Sequence, residues 1–354
     1  MTAGPVDGPP GESRRDVRPV APGARAAVGA SRGRRLVWRV ERFLRRRRRQ
    51  ACQRLYRDRA GDCTNSIVVA GTGRSGTTWL AEILAADLRA RVLFEPFHAE
   101  RVEDLRGYPR FLYRRPEQDD PRLEAFARRV LSGRIRDPWV DSQVDVLFPH
   151  RRVVKEIRAC LFLRWLADRF PQVPVLLVIR HPCAVVASRL RLRWDTDRDL
   201  QPFLEQDFLV ADHLREHLDT IRSASTDVEK HAVVWCVHHL VPLRQFRDGG
   251  LRVIFYEELC RDPAAELAGV FEVLGRRPGP RALRAARRFS MTAVAGSAVV
   301  TGDDPVAAWR RHLRNAQIAE VLGIVEAFGL GYLYAGSHPR PQAVAHLRGR
   351  GPER

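Results

Sequence analysis

A chain of 354 residues with a 45% hydrophobic share can bury a substantial core, as one large domain or two small ones. Its formal charge of +19 points toward anionic partners such as nucleotides, acidic sugars, nucleic acid or a membrane surface. No run of about 18 apolar residues exists, so no membrane-spanning helix is expected, and six scattered cysteines without a C-x-x-C pair exclude a zinc site or a dense disulfide framework.

The charge needs discounting, because Lys155 and Lys230 are the only lysines among 61 cations. A chain this rich in Arg and Ala reflects GC-rich codon usage as readily as function. The cysteines read as reduced thiols, several of them buried. With no apolar signal core at the N-terminus, a cytoplasmic protein is expected, peripheral at most to the inner membrane surface.

Residues 1–30 are rich in Gly, Pro, Ala and Arg without periodicity and read as disordered. A basic segment follows over 31–62. Its apolar positions Leu36, Val40, Phe43, Leu44, Ala51 and Leu55 fall near helical spacing among arginines, including the run 45–49. Two readings stay open: an amphipathic helix that touches anionic lipid or substrate through residues 32–59, or a solvated helix capping the domain. From Ile67 onward short apolar runs alternate with helical patterns, the signature of βαβ units and a parallel sheet. Strands are expected at 67–70, 91–94, 152–156, 174–179 and 251–255. Helices are expected at 77–89, 120–133, 159–169, 182–192, 207–222, 227–247, 262–274 and 315–328. A Pro, Gly and Arg-rich tail over 336–354 reads as disordered. The expectation is one α/β domain over 63–335 with basic flanks.

The first strand runs into Gly71-Thr72-Gly73-Arg74-Ser75-Gly76-Thr77-Thr78-Trp79. A strand, a glycine turn and a helix N-terminus present unpaired N–H groups and a positive dipole end to an anion. Thr77 and Thr78 add hydroxyl donors, and Gly76 lets the backbone approach closely. A Walker A loop has lysine where this chain has Thr77, and here the cation sits inside the loop as Arg74. A second site is VPVLLVIRHPCAVVASRLRL, where a buried strand ends at Arg180 and Pro182 suits the first turn of the next helix. His181, Val185 and Ser188 lie at i, i+4 and i+7, so Ser188 follows the face nearest the helix start. A strand-end cation and that hydroxyl can grip one phosphate together.

The string GRSGTTWL resembles the 5′-phosphosulfate loop of the sulfotransferases that use 3′-phosphoadenylyl sulfate (PAPS), and Arg74 matches their carbohydrate-type branch. Arg180 and Ser188 match the spacing of that family's 3′-phosphate motif. VIFYEELCRDP resembles its Y-E-D-L segment, and AWRRHLRNAQIAEVLGIVEAFGLGY its C-terminal W-R-x-x-L helix; together the similarities span about residues 66–334. The resemblance implies a P-loop-like α/β fold with a central parallel sheet flanked by helices. It also implies PAPS as co-substrate, held by Gly73, Arg74, Ser75, Gly76, Thr77, Thr78, Trp79, Arg180 and Ser188. Trp309 and Arg310 either close over the cofactor or pack on the core.

Sulfation of a hydroxyl needs a base for the acceptor proton. VLFEPFH ends a strand at Glu95, with Pro96 expected to hold it extended, and carboxylates at that edge of a parallel sheet face the ligand crevice. Carbohydrate sulfotransferases carry a similar E-P, so Glu95 is the first candidate base and His98 the reserve. Lys155, at another strand end, hints that an ammonium point charge matters there, although a surface ion pair with Glu156 or a neighbour explains it too. No metal is implied, since no Asp/Glu/His cluster has ligand spacing. The expected reaction is sulfuryl transfer to a hydroxyl of a carbohydrate, lipid or small metabolite, with no specific nucleic acid partner. The rivals are a P-loop kinase and a basic RNA- or membrane-binding protein.

Overall fold

Five runs of mostly Val, Ile, Leu and Phe pair in parallel: β1 (Ser66–Ala70), β2 (Arg91–Phe94), β3 (Arg152–Glu156), β4 (Val175–Ile179) and β5 (Arg252–Phe255). Their order is β2-β3-β1-β4-β5. The computed structural model describes residues 22–58, 61–288, 290, 293 and 298–348. Every strand lies within one residue of its expected position, because a sheet buried on both faces leaves a continuous apolar run in the sequence.

Side chains alternate across the sheet. Ile67, Val69, Val92, Leu176, Val178 and Ile254 face α2 (Thr77–Leu88), α7 (Pro263–Val273) and α8 (Pro280–Ala286). Val68, Ala70, Leu93, Val154, Leu177, Ile179 and Phe255 face the larger layer of α3 (Pro121–Leu131), α4 (Leu163–Arg169), α5 (Pro182–Arg191), α6 (Asp227–Gln245) and α9 (Asn315–Ala327). Helix α6 starts in a capping box, with Thr226 accepting from the Glu229 N–H and Glu229 reaching back. It is buried on nearly every side, as its lack of an apolar stripe requires. The chain crosses from β1 to β2 and β3 on one side and to β4 and β5 on the other. The switch point over the C-terminal end of β1 is therefore where a ligand crevice opens.

The expected helix over 207–222 is broken by a wider turn at Val210–Leu214, where Asp212 accepts from Tyr113 and Arg115. Helix α8 was not legible, being only seven residues long. Helix α1 (Pro22–Leu55) begins inside the stretch read as disordered, since Pro22 suits a first turn and Ala and Arg favour the helix beyond it. Residues 1–21 lie outside the described residues. At the other end a short hairpin pairs Tyr334–Ala335 with His338–Pro339, and a helical segment Pro341–Arg348 buries Val344 and Leu347 beside β5. Leu251 donates its N–H to the Leu347 carbonyl at 3.1 Å. These apolar anchors were hidden by the tail's Pro and Gly content; residues 349–354 lie outside the described ones. No helix among the described residues is long and apolar enough to cross a membrane.

The core carries several neutral histidines. Burial lowers His213 to about 4, His231 and His239 to about 3, and His238 well below the ordinary 6.5. The unfolded chain protonates these rings as pH falls through 6.5, whereas the folded chain resists down to about 3–4, so stability is complete above 6.5 and drains below it. Glu156 works the opposite way, because burial raises it to about 7. Each displaced group changes stability by about 1.4 kcal/mol per pH unit, and the histidines outnumber the carboxylates. We expect urea unfolding to show a loss of at least about 2 kcal/mol between pH 6.5 and 5. A flat profile would contradict it.

Candidate active site

The loop after β1 is shaped by glycine. Gly76 has φ of 102°, and a Cβ there would stand 2.6 Å from the Tyr256 ring, so a larger residue is excluded on both counts. Arg74 holds φ of 80°, a conformation side chains rarely adopt, which aims the guanidinium along the crevice. Its Nε donates to Ser188 Oγ at 3.0 Å. Burial and the nearby Arg180 lower the guanidinium to about 10, so it stays charged at neutral pH. Behind the loop, fully buried Arg189 donates through Nη2 to Thr72 Oγ1 at 2.7 Å and through Nε to the Gly73 carbonyl at 3.3 Å. Helix α2 starts without a side-chain cap, leaving the first-turn N–H groups to an anion. The Ser75 hydroxyl is buried with no hydrogen-bond partner among the described residues.

The second motif meets the first. Arg180 leaves β4 and donates to the Arg74 carbonyl at 3.3 Å and to the Pro305 carbonyl at 3.0 Å. Its guanidinium lies 4.2 Å over the Tyr256 ring, and its Nε is buried without a partner among the described residues. Trp235 of α6 donates Nε1 to the Arg180 carbonyl at 2.9 Å, fixing the strand end. Arg74 thus stands between the other two, touching Ser188 through its side chain and Arg180 through its carbonyl.

Strands β2 and β3 bring the third group. Phe94 stands beside Lys155 in register, and the Glu95 N–H donates to the Lys155 carbonyl at 2.8 Å. Glu95 is not extended: its φ is 46°. Its carbonyl accepts from His98 N at 3.2 Å and from Trp139 Nε1 at 3.3 Å, and Pro96 sits at the second position of the resulting tight turn, where proline is favoured. The Glu95 carboxylate pairs with the Lys155 ammonium, both nearly buried. That ammonium also lies 4.6 Å over the Phe94 ring. Glu156 is not the partner of Lys155. It points into the core and accepts from Phe97 N at 2.7 Å and from the N–H groups of Ile157 and Arg158, which makes it a brace for two turns.

A cavity of about 620 Å³ opens between these groups. Gly73, Arg74, Gly76, Thr77, Thr78, Trp79, Glu95, His98, Lys155 and Arg180 all line it. His98 is held near 4 by burial and by Arg158, whose guanidinium is 3.4 Å away, so its ring is neutral at physiological pH. Ser75 and Ser188 sit just behind the wall, Ser188 reaching it through Arg74. Trp309 and Arg310 do not come to the cavity. Trp309 stacks on His181 at 4.6 Å inside the core, and exposed Arg310 lies over the outer face of Trp309. For Trp309, packing on the core is the reading the structure shows, and Arg310 stays exposed outside it.

Several lining residues escaped the sequence reading. Trp139 and Trp194 wall the cavity beside Glu95 and Gly73, and Arg158, Arg287 and Arg288 add charge. A Cβ on Gly73 would fall 2.6 Å from the Trp194 ring, so that glycine exists to seat the indole. These residues lie on loops with no repeat or motif to mark them. Tyr256 was legible only as part of a fold-supporting segment, yet it packs edge-on to Trp79 at 5.6 Å in the cavity wall.

The model of the sulfotransferase family matches residues 66–277, and the chain belongs to that family. It is a transferase acting on sulfuryl groups. No curated protein sequence matches it. Among solved structures, the sulfotransferase domain from the Synechococcus PCC 7002 olefin synthase is 18% identical, the match covering 75% of this chain and 94% of that one, with a TM-score of 0.37. Sulfotransferase STF9 from Mycobacterium avium is 15% identical over 75% and 76% of the two chains, TM-score 0.39. Mouse sulfotransferase SULT7A1, solved in complex with PAP, is 16% identical over 78% and 87%, TM-score 0.37.

Proposed function

We propose that the cavity takes PAPS and that the enzyme passes its sulfuryl group to a hydroxyl of an acceptor, a carbohydrate in the first instance and a lipid or small metabolite otherwise. The observation that carries this reading is the convergence of Arg74, Arg180 and Ser188 from two separate strand-to-helix turns. Two orphaned polar atoms, Ser75 Oγ and Arg180 Nε, fit a doubly phosphorylated ligand, since buried polar groups rarely stay unpaired.

The α2 N-terminus, Ser75, Thr77 and Thr78 would hold the 5′-phosphosulfate, and Arg180 with Ser188 the 3′-phosphate. Trp79 and Tyr256 line the cavity and would pack against the base. PAPS supplies the sulfuryl group and leaves as 3′,5′-ADP. Arg74 neutralises charge gathering on the leaving phosphate oxygen, but it is no acid, since arginine is not deprotonated in proteins. Glu95 accepts the acceptor proton. Lys155, already paired with Glu95, holds that carboxylate toward the cavity and adds positive charge beside the transferring group. Catalysis then rests on positioning and fixed charges. Trp139 and Trp194 line the cavity, and aromatic walls suit a sugar ring, which supports the carbohydrate reading.

The test is calorimetric. The roles proposed for Arg180 and Ser188 depend on a 3′-phosphate, and a charge-assisted hydrogen bond contributes about 1.5–3 kcal/mol. We expect 3′,5′-ADP to bind about tenfold or more tightly than 5′-AMP, with the difference lost in Arg180→Ala. Equal affinities in the wild type would remove the 3′-phosphate assignment, and preference for ATP–Mg²⁺ would favour a kinase.

A further inference from the structure

Helix α1 is mounted with its sides reversed. The face turned to the domain carries Glu41, Arg45, Arg49 and Cys52, and Arg45 and Arg49 both pair with Glu82 of α2. Just past the helix end, Tyr56 donates to Asp141 at 2.7 Å and extends the attachment. The opposite face carries Leu36, Val37, Val40, Phe43 and Leu44, which fall at i, i+1, i+4, i+7 and i+8 and are each 51–62% exposed. A helix that caps its domain for solubility would do the reverse. Exposed Arg39, Arg42, Arg46 and Arg47 border the stripe.

A second feature lies beside the same helix. A hollow of about 740 Å³, larger than the active-site cavity, opens between α1, α2 and α8. Arg48, Arg89, Arg281, Arg284 and Arg288 line it, with one carboxylate, Asp145. Leu147 and Phe148 stand exposed on its rim, at 41% and 50%. An arginine-walled hollow with apolar neighbours suits a phosphate head group that has an apolar chain attached.

We propose that α1 and this hollow form one seat for an anionic lipid bilayer: the Leu36–Leu44 stripe enters the acyl boundary, and the arginines take lipid phosphates. Charge decides the occupant. Two copies of the chain meeting through this face would bring arginines against arginines, and like charges in contact are repulsive. A nucleic acid would satisfy the arginines but leave Leu36, Val37, Val40 and Leu44 in water. A bilayer surface satisfies both, and a basic helix with an apolar face is the form that lies in its plane. Arg288 lines the hollow and the active-site cavity alike, so the seat sits next to the catalytic mouth.

The test is flotation of the full chain with vesicles of phosphatidylcholine alone or mixed with phosphatidylserine. We expect at least about tenfold stronger partition into the phosphatidylserine vesicles, weakening as salt rises. Leu36→Ser/Phe43→Ser/Leu44→Ser should lower that partition about tenfold or more with an unchanged melting temperature, since all three side chains are exposed. Arg281→Glu/Arg284→Glu should abolish the preference for phosphatidylserine. Absence of vesicle binding, equal partition into both vesicles, or undiminished binding by the triple serine variant would overturn the proposal. So would a wild-type dimer in sedimentation that the same variant splits into monomers, which would give the stripe to a second copy.

Discussion

Arg74→Ala should lose about 10²–10³ in turnover, the usual effect of removing one donor from a site where charge develops, while keeping much of its affinity for 3′,5′-ADP. The two effects separate because the groups differ. The α2 N-terminus and the Thr77 and Thr78 hydroxyls remain to hold the 5′-phosphate, and the Arg180 contact goes to the residue 74 carbonyl, which the substitution keeps. What disappears is the positive charge at the leaving oxygen. Backbone strain is controlled for by Arg74→Gly, since glycine adopts the 80° φ without cost. Both variants should fail equally in turnover. Arg74→Lys should retain part of the activity, because a cation remains in the loop. Wild-type rates in the alanine or glycine variant, measured under single-turnover conditions, would take Arg74 out of the mechanism.

For Glu95→Gln the expected loss is about 10²–10⁴, the range of general base catalysis. Glutamine is nearly isosteric, so nucleotide binding should barely move. The substitution also strips Lys155 of its carboxylate partner in a nearly buried setting. A broken buried pair costs about 3–5 kcal/mol, so the melting temperature should fall as well. Glu95→Gln/Lys155→Met should regain stability without regaining turnover, which separates the structural role of the pair from the proton transfer. If His98→Ala is inactive while Glu95→Gln turns over normally, the neutral ring of His98 is the base instead.

The sheet and most of its flanking helices were legible because burial on both faces leaves unbroken apolar runs, and because Pro182 marks a helix start. The half of the cavity proposed to hold the nucleotide was legible for a related reason. A strand, a turn and a helix start fix the positions of Arg74, Arg180 and Ser188 relative to the backbone, so spacing alone carries their geometry. Lys155 and Glu95 were each visible as strand-end residues. Their mutual contact was not, since it depends on β2 lying beside β3, which no local pattern states. Trp139, Trp194 and Arg288 come from loops and a helix end with no such constraint. The sequence pattern at Trp309 suited either a lid or a core aromatic, and only the stack on His181 chose between them. The apolar spacing of α1 was plain, but which face it turns outward depends on Glu82, far along the chain.

The most direct measurement of the central claim is mass spectrometry of a metabolite extract incubated with the enzyme and PAPS. At least one hydroxyl-bearing metabolite is expected to gain a single sulfo group, with 3′,5′-ADP appearing in equal amount, and both changes should be about 10²–10³ slower with Arg74→Ala. Phosphorylated products formed from ATP, with PAPS left intact, would contradict it.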